Sequence, residues 1–140
     1  MQLQAVINKS KFFPMDNLTE IYLGYLGCLN DRDWDQLANF VSADVVHNGK
    51  RLGIAGYREM LIGNYKDIPD LRFEPELLVV QDAYVACRLF FNCSPIGLFL
   101  DLPVNGKKIQ FVESVFYEFQ DGKITEVWSV LDKATIEKQL

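Results

Sequence analysis

Two carboxylates stand in stretches that otherwise read as core. In KIQFVESVFYEF, residues 108–119, Glu113 falls on the same parity as Ile109, Phe111, Val115 and Tyr117. In KITEVWSVLD, residues 123–132, Asp132 shares its parity with Trp128 and Val130. Asp121-Gly122 between them is a hairpin-turn signal, so the two stretches pair. With a two-residue loop, Gln120 faces Lys123, Val115 faces Trp128, Glu113 faces Val130 and Phe111 faces Asp132. Period-two alternation then gathers Phe111, Glu113, Tyr117, Trp128 and Asp132 on one face. Glu113 and Asp132 become diagonal neighbours with Cα atoms roughly 7–8 Å apart. A carboxylate in an apolar cavity is poorly solvated when charged, so its pKa rises. That makes it a proton acceptor and donor near neutrality. Asp132 is the first candidate for that role and Glu113 its rival. The plain structural reading is that Asp132 ends its strand and N-caps the segment KATIEKQL.

The other side chains that could do chemistry are few. His47 is the sole histidine, which removes most metal and triad chemistry. The chain has no His-Glu-x-x-His, no Cys-x-x-Cys and no Gly-x-Ser-x-Gly. DRDWDQ offers Asp31, Asp33 and Asp35 at calcium-loop spacing, but Gln36 stands at the glycine position and Ser42 at the closing glutamate. Those acids read instead as caps of a short helix. Arg88 lies in the middle of the strand-like YVACRLFF and needs a partner or a wet cavity. It either faces a pocket and orients a substrate oxygen, or pairs with Glu74 or Glu76 across a hairpin.

The elements that must position these groups follow from periodicity. Residues 1–16 carry no clear period and form an N-terminal arm; residues 17–140 form one domain. Leu18, Ile21, Tyr22, Tyr25, Leu26 and Leu29 recur at helical spacing after a capping-box pair, Asn17 and Glu20. DWDQLANFV reads as a second, short helix. GIAGYREMLIGNYKDIPD is a third, ended at Ile68-Pro69. ADVVHNG is a short strand. After Asp70 the period changes to two. LRFEPELLVV and AYVACRLFFNCS make one hairpin, the pair around Asp121-Gly122 makes another, and PIGLFLDLPVNGK connects them. Helices followed by antiparallel strands give an α+β fold, with a sheet packed on helices and a concave space suited to a small molecule. The second sheet face is also partly apolar and is expected to meet a second copy of the chain, giving a homodimer.

Length and composition narrow the field. The 140 residues carry 14 basic and 19 acidic side chains, a net charge of −5. No basic block marks a nucleic-acid binder. No apolar run reaches the ~18 residues of a membrane span, and the first residues lack signal-peptide character. Cys87 and Cys93 are six residues apart in one strand, roughly 20 Å, too far for a disulfide. Free thiols, with Cys28, fit a reducing, cytoplasmic setting.

The segments ADVVHNG, PDLRFEPELLVVQDAYVACRLFF, GLFLDLPVNGKKIQFVESVFYEFQDGKITEVWSVLD and the final QL together resemble the SnoaL-like polyketide (ester) cyclase family. That family belongs to the nuclear-transport-factor-like superfamily, which also holds ketosteroid isomerase. The resemblance implies a cone-shaped α+β barrel in which a curved antiparallel sheet packs against three N-terminal helices. It implies ring closure of a polyketide-like molecule by intramolecular aldol chemistry, without metal or cofactor. By that analogy Asp132 is the general acid/base. His47, Asn48 and Arg88 hold carbonyl oxygens, and Phe111, Tyr117 and Trp128 wall the cavity. One departure stands out. Many relatives carry Gly-Thr-His-x-Gly after the arginine strand; here the segment reads CSPIG. Pro95, which offers neither a proton nor a donor, stands at the histidine position and Cys93 at the first glycine.

Overall fold

The computed structural model describes residues 17–140; the expected arm, 1–16, lies outside the described residues. Helix α1 (Leu18–Asn30) buries Leu18, Tyr22, Tyr25, Leu26 and Leu29 along one stripe, as the spacing predicts. Its Asn17 makes no side-chain capping bond, so the sequence pair does not close as a capping box. The second expected helix is a 3₁₀ segment, Trp34–Asn39, a tighter winding common in short connectors. Helix α2 (Gly53–Asp67) buries Tyr57, Leu61 and Tyr65, four residues apart. It ends where Ile68 turns extended, at φ −133° and ψ 84°, the backbone region that a following proline favours.

The strands are β1 (Val41–His47), β2 (Lys50–Arg51), β3 (Glu74–Gln81), β4 (Tyr84–Cys93), β5 (Leu98–Phe99), β6 (Leu102–Pro103), β7 (Ile109–Gln120) and β8 (Lys123–Leu131). A short helix α3 (Lys133–Glu137) follows. Six strands form one sheet in the order β2-β1-β8-β7-β4-β3, and β5 pairs only with β6. The sheet curves around α1 and α2 but stays open at β2 and β3, so no barrel closes. It is also mixed: β1 runs parallel to β8, where a fully antiparallel sheet was expected. The inner face supplies Val85, Leu89, Phe91, Ile109, Phe111, Val115 and Tyr117 to the core, all nearly inaccessible to solvent. Cys28, Cys87 and Cys93 are buried and free.

One irregularity decides which side chains reach the concave face. Asp121 and Gly122 take φ of 52° and 76°, the paired left-handed conformations of a tight hairpin turn. Gln120 pairs with Lys123 and Phe119 with Ile124, as the two-residue loop requires. The next pair is Glu118 with Glu126, which leaves Thr125 as an extra residue. Thr125 Oγ1 donates to the Glu118 carbonyl at 3.1 Å, helping to occupy the widened ladder. Beyond this bulge the parity of β8 is reversed. Phe116 now pairs with Trp128, Ser114 with Val130 and Glu113 with Leu131. Val127, Ser129 and Leu131 therefore point inward. Trp128 and Val130 point outward, 38% and 71% exposed. The expectation that Trp128 walls a cavity is corrected by that one inserted residue.

Candidate active site

Between the sheet and the two long helices lie two adjoining cavities. The larger, of ≈ 170 Å³, is bounded by Tyr25 of α1, Tyr57 and Asn64 of α2, His47 of β1, Glu113 and Tyr117 of β7, and Ser129 of β8, with apolar groups between them. The smaller, of ≈ 80 Å³, is lined by Phe73, Phe91, Phe99 and Phe111 with Ile68 and Leu71. Asn64, Phe73, Glu113 and Leu131 line both. Glu113 thus stands at the junction of a polar compartment and an aromatic one.

Glu113 sits in the middle of β7, flanked across the ladder by Leu89 and Leu131. Burial pushes its carboxyl above the usual carboxylate range, and a hydrogen bond with the Ser129 side chain opposes that rise in part. Asn48 fixes Ser129. Its Oδ1 accepts from the Ser129 backbone N–H at 2.8 Å, and its Nδ2 donates to the Ser129 carbonyl at 3.3 Å. Asn48 occupies the left-handed region at φ 47°, a conformation asparagine tolerates better than most side chains. Its amide thereby continues the β1–β8 pairing past the end of β1. It is a backbone clamp, and the expected carbonyl-holding role has no support from its position outside both cavities.

His47 is half-buried, lines the polar cavity and stands edge-on to Tyr57 with ring centroids 6.2 Å apart. Burial lowers its pKa, so the imidazole is neutral at pH 7. Deeper in, the hydroxyls of Tyr25 and Tyr57 lie 2.7 Å apart, and Tyr22 donates to Tyr117 at 3.2 Å. Burial pushes all four phenols above their ordinary value. Phe111 stacks on Phe91 at 5.1 Å, with planes 25° apart, and lines the aromatic compartment as expected.

Besides Asn48 and Trp128, two further expected site residues lie elsewhere. Arg88 alternates onto the outer face of β4, where its Nε donates to Glu76 Oε1 at 2.6 Å with both side chains about half exposed. The cross-hairpin pairing is therefore the reading that applies. Asp132 was expected to be a carboxyl with a raised pKa inside the cavity. It instead caps α3: Oδ1 accepts from the Thr135 backbone N–H at 3.2 Å and Oδ2 from the Thr135 hydroxyl at 2.6 Å. These hydrogen bonds hold its carboxyl below the usual range. It lines neither cavity. The physical cause is again the Thr125 bulge, which puts Leu131 on the inner face and turns the following residue outward. Pro95 is buried in the turn after β4, where its carbonyl accepts from the Gly106 N–H at 2.7 Å.

The sequence reading missed Tyr25, Tyr57, Asn64 and Ser129. A signal existed for the tyrosines. Their positions on helical core stripes are filled by phenols where phenylalanine would pack as well, and a buried hydroxyl needs a partner.

Residues 19–140 match the SnoaL-like polyketide cyclase family. A SnoaL-like polyketide cyclase from Agrobacterium tumefaciens is 54% identical, with a TM-score of 0.86 over 87% of this chain and 96% of that one. TsrD from Streptomyces laurentii shares the fold at 20% identity and a TM-score of 0.78, over 91% of this chain and 97% of that one. IdmH from Streptomyces antibioticus does so at 19% and 0.75, over 87% and 96%. No curated protein matches the chain.

Proposed function

The chain belongs to the SnoaL-like polyketide cyclase family, and from that premise we propose that it catalyses proton transfer at carbon, with Glu113 as the general acid/base. The observation that carries this reading is the position of Glu113: the junction of both cavities, with a carboxyl whose burial raises its pKa. In the charged form it accepts a proton from a carbon flanked by carbonyls, leaving an enolate. The enolate carbon attacks a second carbonyl of the same molecule in an aldol closure, and Glu113 returns its proton to the new alkoxide. Return of the proton to a different carbon would be isomerisation. The cavity supplies orientation and excludes water, and its polar groups receive the developing charge. Neutral His47 is a second proton-bearing group on the same wall. No step calls on a metal or cofactor.

The test is exchange of the acidic C–H of simple 1,3-diketones in deuterated buffer, followed by NMR. Glu113→Gln removes the catalysed exchange while Asp132→Asn retains it. The reverse pattern would return the role to Asp132.

The outer sheet face supports a homodimer. Leu77, Val79, Tyr84, Phe116, Trp128 and Val130 all lie exposed on it, a larger apolar area than isolated surface residues provide. Light scattering that finds only monomer removes this assignment. Three buried free thiols support a cytoplasmic location, which cell fractionation checks. Among the described residues, no helix is long and apolar enough to cross a membrane.

A further inference from the structure

One of the two tyrosine pairs has a property that ordinary core tyrosines lack. Tyr65 gives its hydroxyl proton to the Leu29 carbonyl at 2.6 Å and is satisfied. In the Tyr22–Tyr117 pair the hydroxyls lie 3.2 Å apart, and Tyr22 also has the Cys87 thiol as a partner, so this pair is satisfied internally. In the Tyr25–Tyr57 pair either oxygen can donate. Whichever does, the other phenol keeps a free proton, and both of these rings line the polar cavity. Buried hydroxyls are hydrogen-bonded in native proteins as a rule. A spare donor on the helix side of the cavity therefore points to a ligand oxygen. The backing phenol also polarises the front one, because a hydroxyl that accepts a hydrogen bond is a stronger donor.

The other compartment selects the rest of the ligand. Phe73 meets Phe91 edge-on at 5.6 Å, Phe91 stacks on Phe111, and Phe99 closes on Phe111 at 5.4 Å. These rings offer faces and edges to a further aromatic ring. Size favours a small ligand. The compartments hold ≈ 170 and ≈ 80 Å³, below the roughly 300–1,000 Å³ common for sites that take drug-sized ligands. A ligand of one or two rings matches that space.

We propose that the cavity is a receptor for a compact aryl carbonyl compound of one or two rings, with its ring among Phe73, Phe91, Phe99 and Phe111 and its enolate oxygen held by the free hydroxyl of the Tyr25–Tyr57 pair. This rests on the proton-transfer reading and names its substrate class. Glu113 then lies between the ring and the oxygen. As it takes the proton, one negative charge leaves the carboxylate and appears on the oxygen that the front phenol faces. The total charge in the cavity is unchanged, and the front phenol receives the charge where it develops.

The probe is 4-nitrophenol, whose absorbance reports whether it is bound as phenol or phenolate, with nitrobenzene as the neutral control. The full chain should bind 4-nitrophenol with a spectrum shifted toward phenolate. The double variant Tyr25→Phe with Tyr57→Phe should weaken that binding about tenfold or more, the scale of a hydrogen bond to a charged group, and change nitrobenzene binding by less than about twofold, as expected when the aromatic lobe is untouched. Affinity for the phenolate should rise as pH falls through the titration of Glu113, and Glu113→Gln should bind it tightly without that dependence. The other titratable groups facing the carboxylate are His47 on β1, Tyr25 on α1, Tyr57 on α2, Cys87 on β4 and Tyr117 on β7. They are neutral at pH 7, since burial lowers the imidazole and raises the phenols and thiol. Equal binding of 4-nitrophenol and nitrobenzene by the unmodified chain overturns the oxygen site without recourse to any variant. Binding of a three-ring anthracenol as tight as that of 4-nitrophenol overturns the size preference. If diketone exchange persists while phenolate binding fails, the proton-transfer reading survives and this inference does not. If phenolate binds but no exchange occurs, the oxygen site stands and the catalytic reading falls.

Discussion

Glu113 and Asp132 are near neighbours on one hairpin, yet their surroundings push them in opposite directions. Glu113 lies on the concave face among aromatics and phenols, and burial raises its pKa. Asp132 lies at the end of β8, and two hydrogen bonds from Thr135 lower its pKa. One face strips water from a carboxylate and returns a single hydroxyl partner. The other leaves water in place and adds donors. The local environment, more than residue type or sequence distance from an aromatic, decides which acid can exchange protons near neutrality.

The sharpest way to break this contrast is to neutralise each acid in turn. Glu113→Gln keeps shape and hydrogen-bonding capacity but cannot carry a proton. The catalysed exchange of 1,3-diketones should fall by roughly 10²–10⁴-fold, the usual contribution of a positioned acid/base. Asp132→Asn should change the same rate by less than about twofold, in line with a surface substitution remote from the reacting atoms. Equal losses in both variants would erase the distinction.

Stability against pH tests the same contrast without a substrate. Glu113 has a raised pKa in the folded state, so folding favours its protonated form. Its contribution is fully present below the unfolded carboxylate range and is lost as pH rises through the folded pKa. Asp132 has a lowered pKa, so its contribution is present above the unfolded range and is lost as pH falls through the folded value. Thermal melts should therefore find Glu113→Gln more stable than the unmodified chain at pH 8, with the gap closing toward pH 4. Asp132→Asn should be less stable at neutral pH, with its gap closing at lower pH still. Parallel curves for the two variants would contradict the opposite shifts.

Much of this arrangement is legible in the sequence, up to one residue. Period-two alternation in β7 correctly places Phe111, Glu113 and Tyr117 on the inner face, and the Asp121-Gly122 turn fixes the first two cross-strand pairs. The parity of β8 fails beyond Thr125 because a bulge can form there with no glycine or proline to announce it. Both faces of KITEVWSVLD carry apolar side chains, so the pattern alone does not resist a one-residue slip. What chooses the register is long-range: Val127 and Leu131 fit the core beneath α2, while Trp128 and Val130 join Phe116 outside. The same limit hides the tyrosine pairs. A phenol on a helical stripe reads as core, and its partner, 32 residues away for Tyr25 and Tyr57 and 95 away for Tyr22 and Tyr117, is set by packing.

Asn48 offers a subtler way to sharpen the contrast, because it acts on Glu113 only through Ser129. Asn48→Ala deletes both amide bonds to the Ser129 backbone. On an exposed turn, loss of two such bonds costs about 1–2 kcal/mol. Ser129 would then hold Glu113 less firmly. Its hydrogen bond opposes the burial-driven rise in pKa, so a looser Ser129 should move the Glu113 pKa further up. The exchange rate at neutral pH should fall severalfold, and its pH profile should shift to the alkaline side. A purely structural clamp would lower the melting temperature and leave the profile where it was. Asn48→Asp, which keeps the Oδ acceptor for the Ser129 N–H, should restore much of the stability. A profile that moves with Asn48→Ala and returns part of the way in the aspartate variant ties the β1 turn to the acid it never touches.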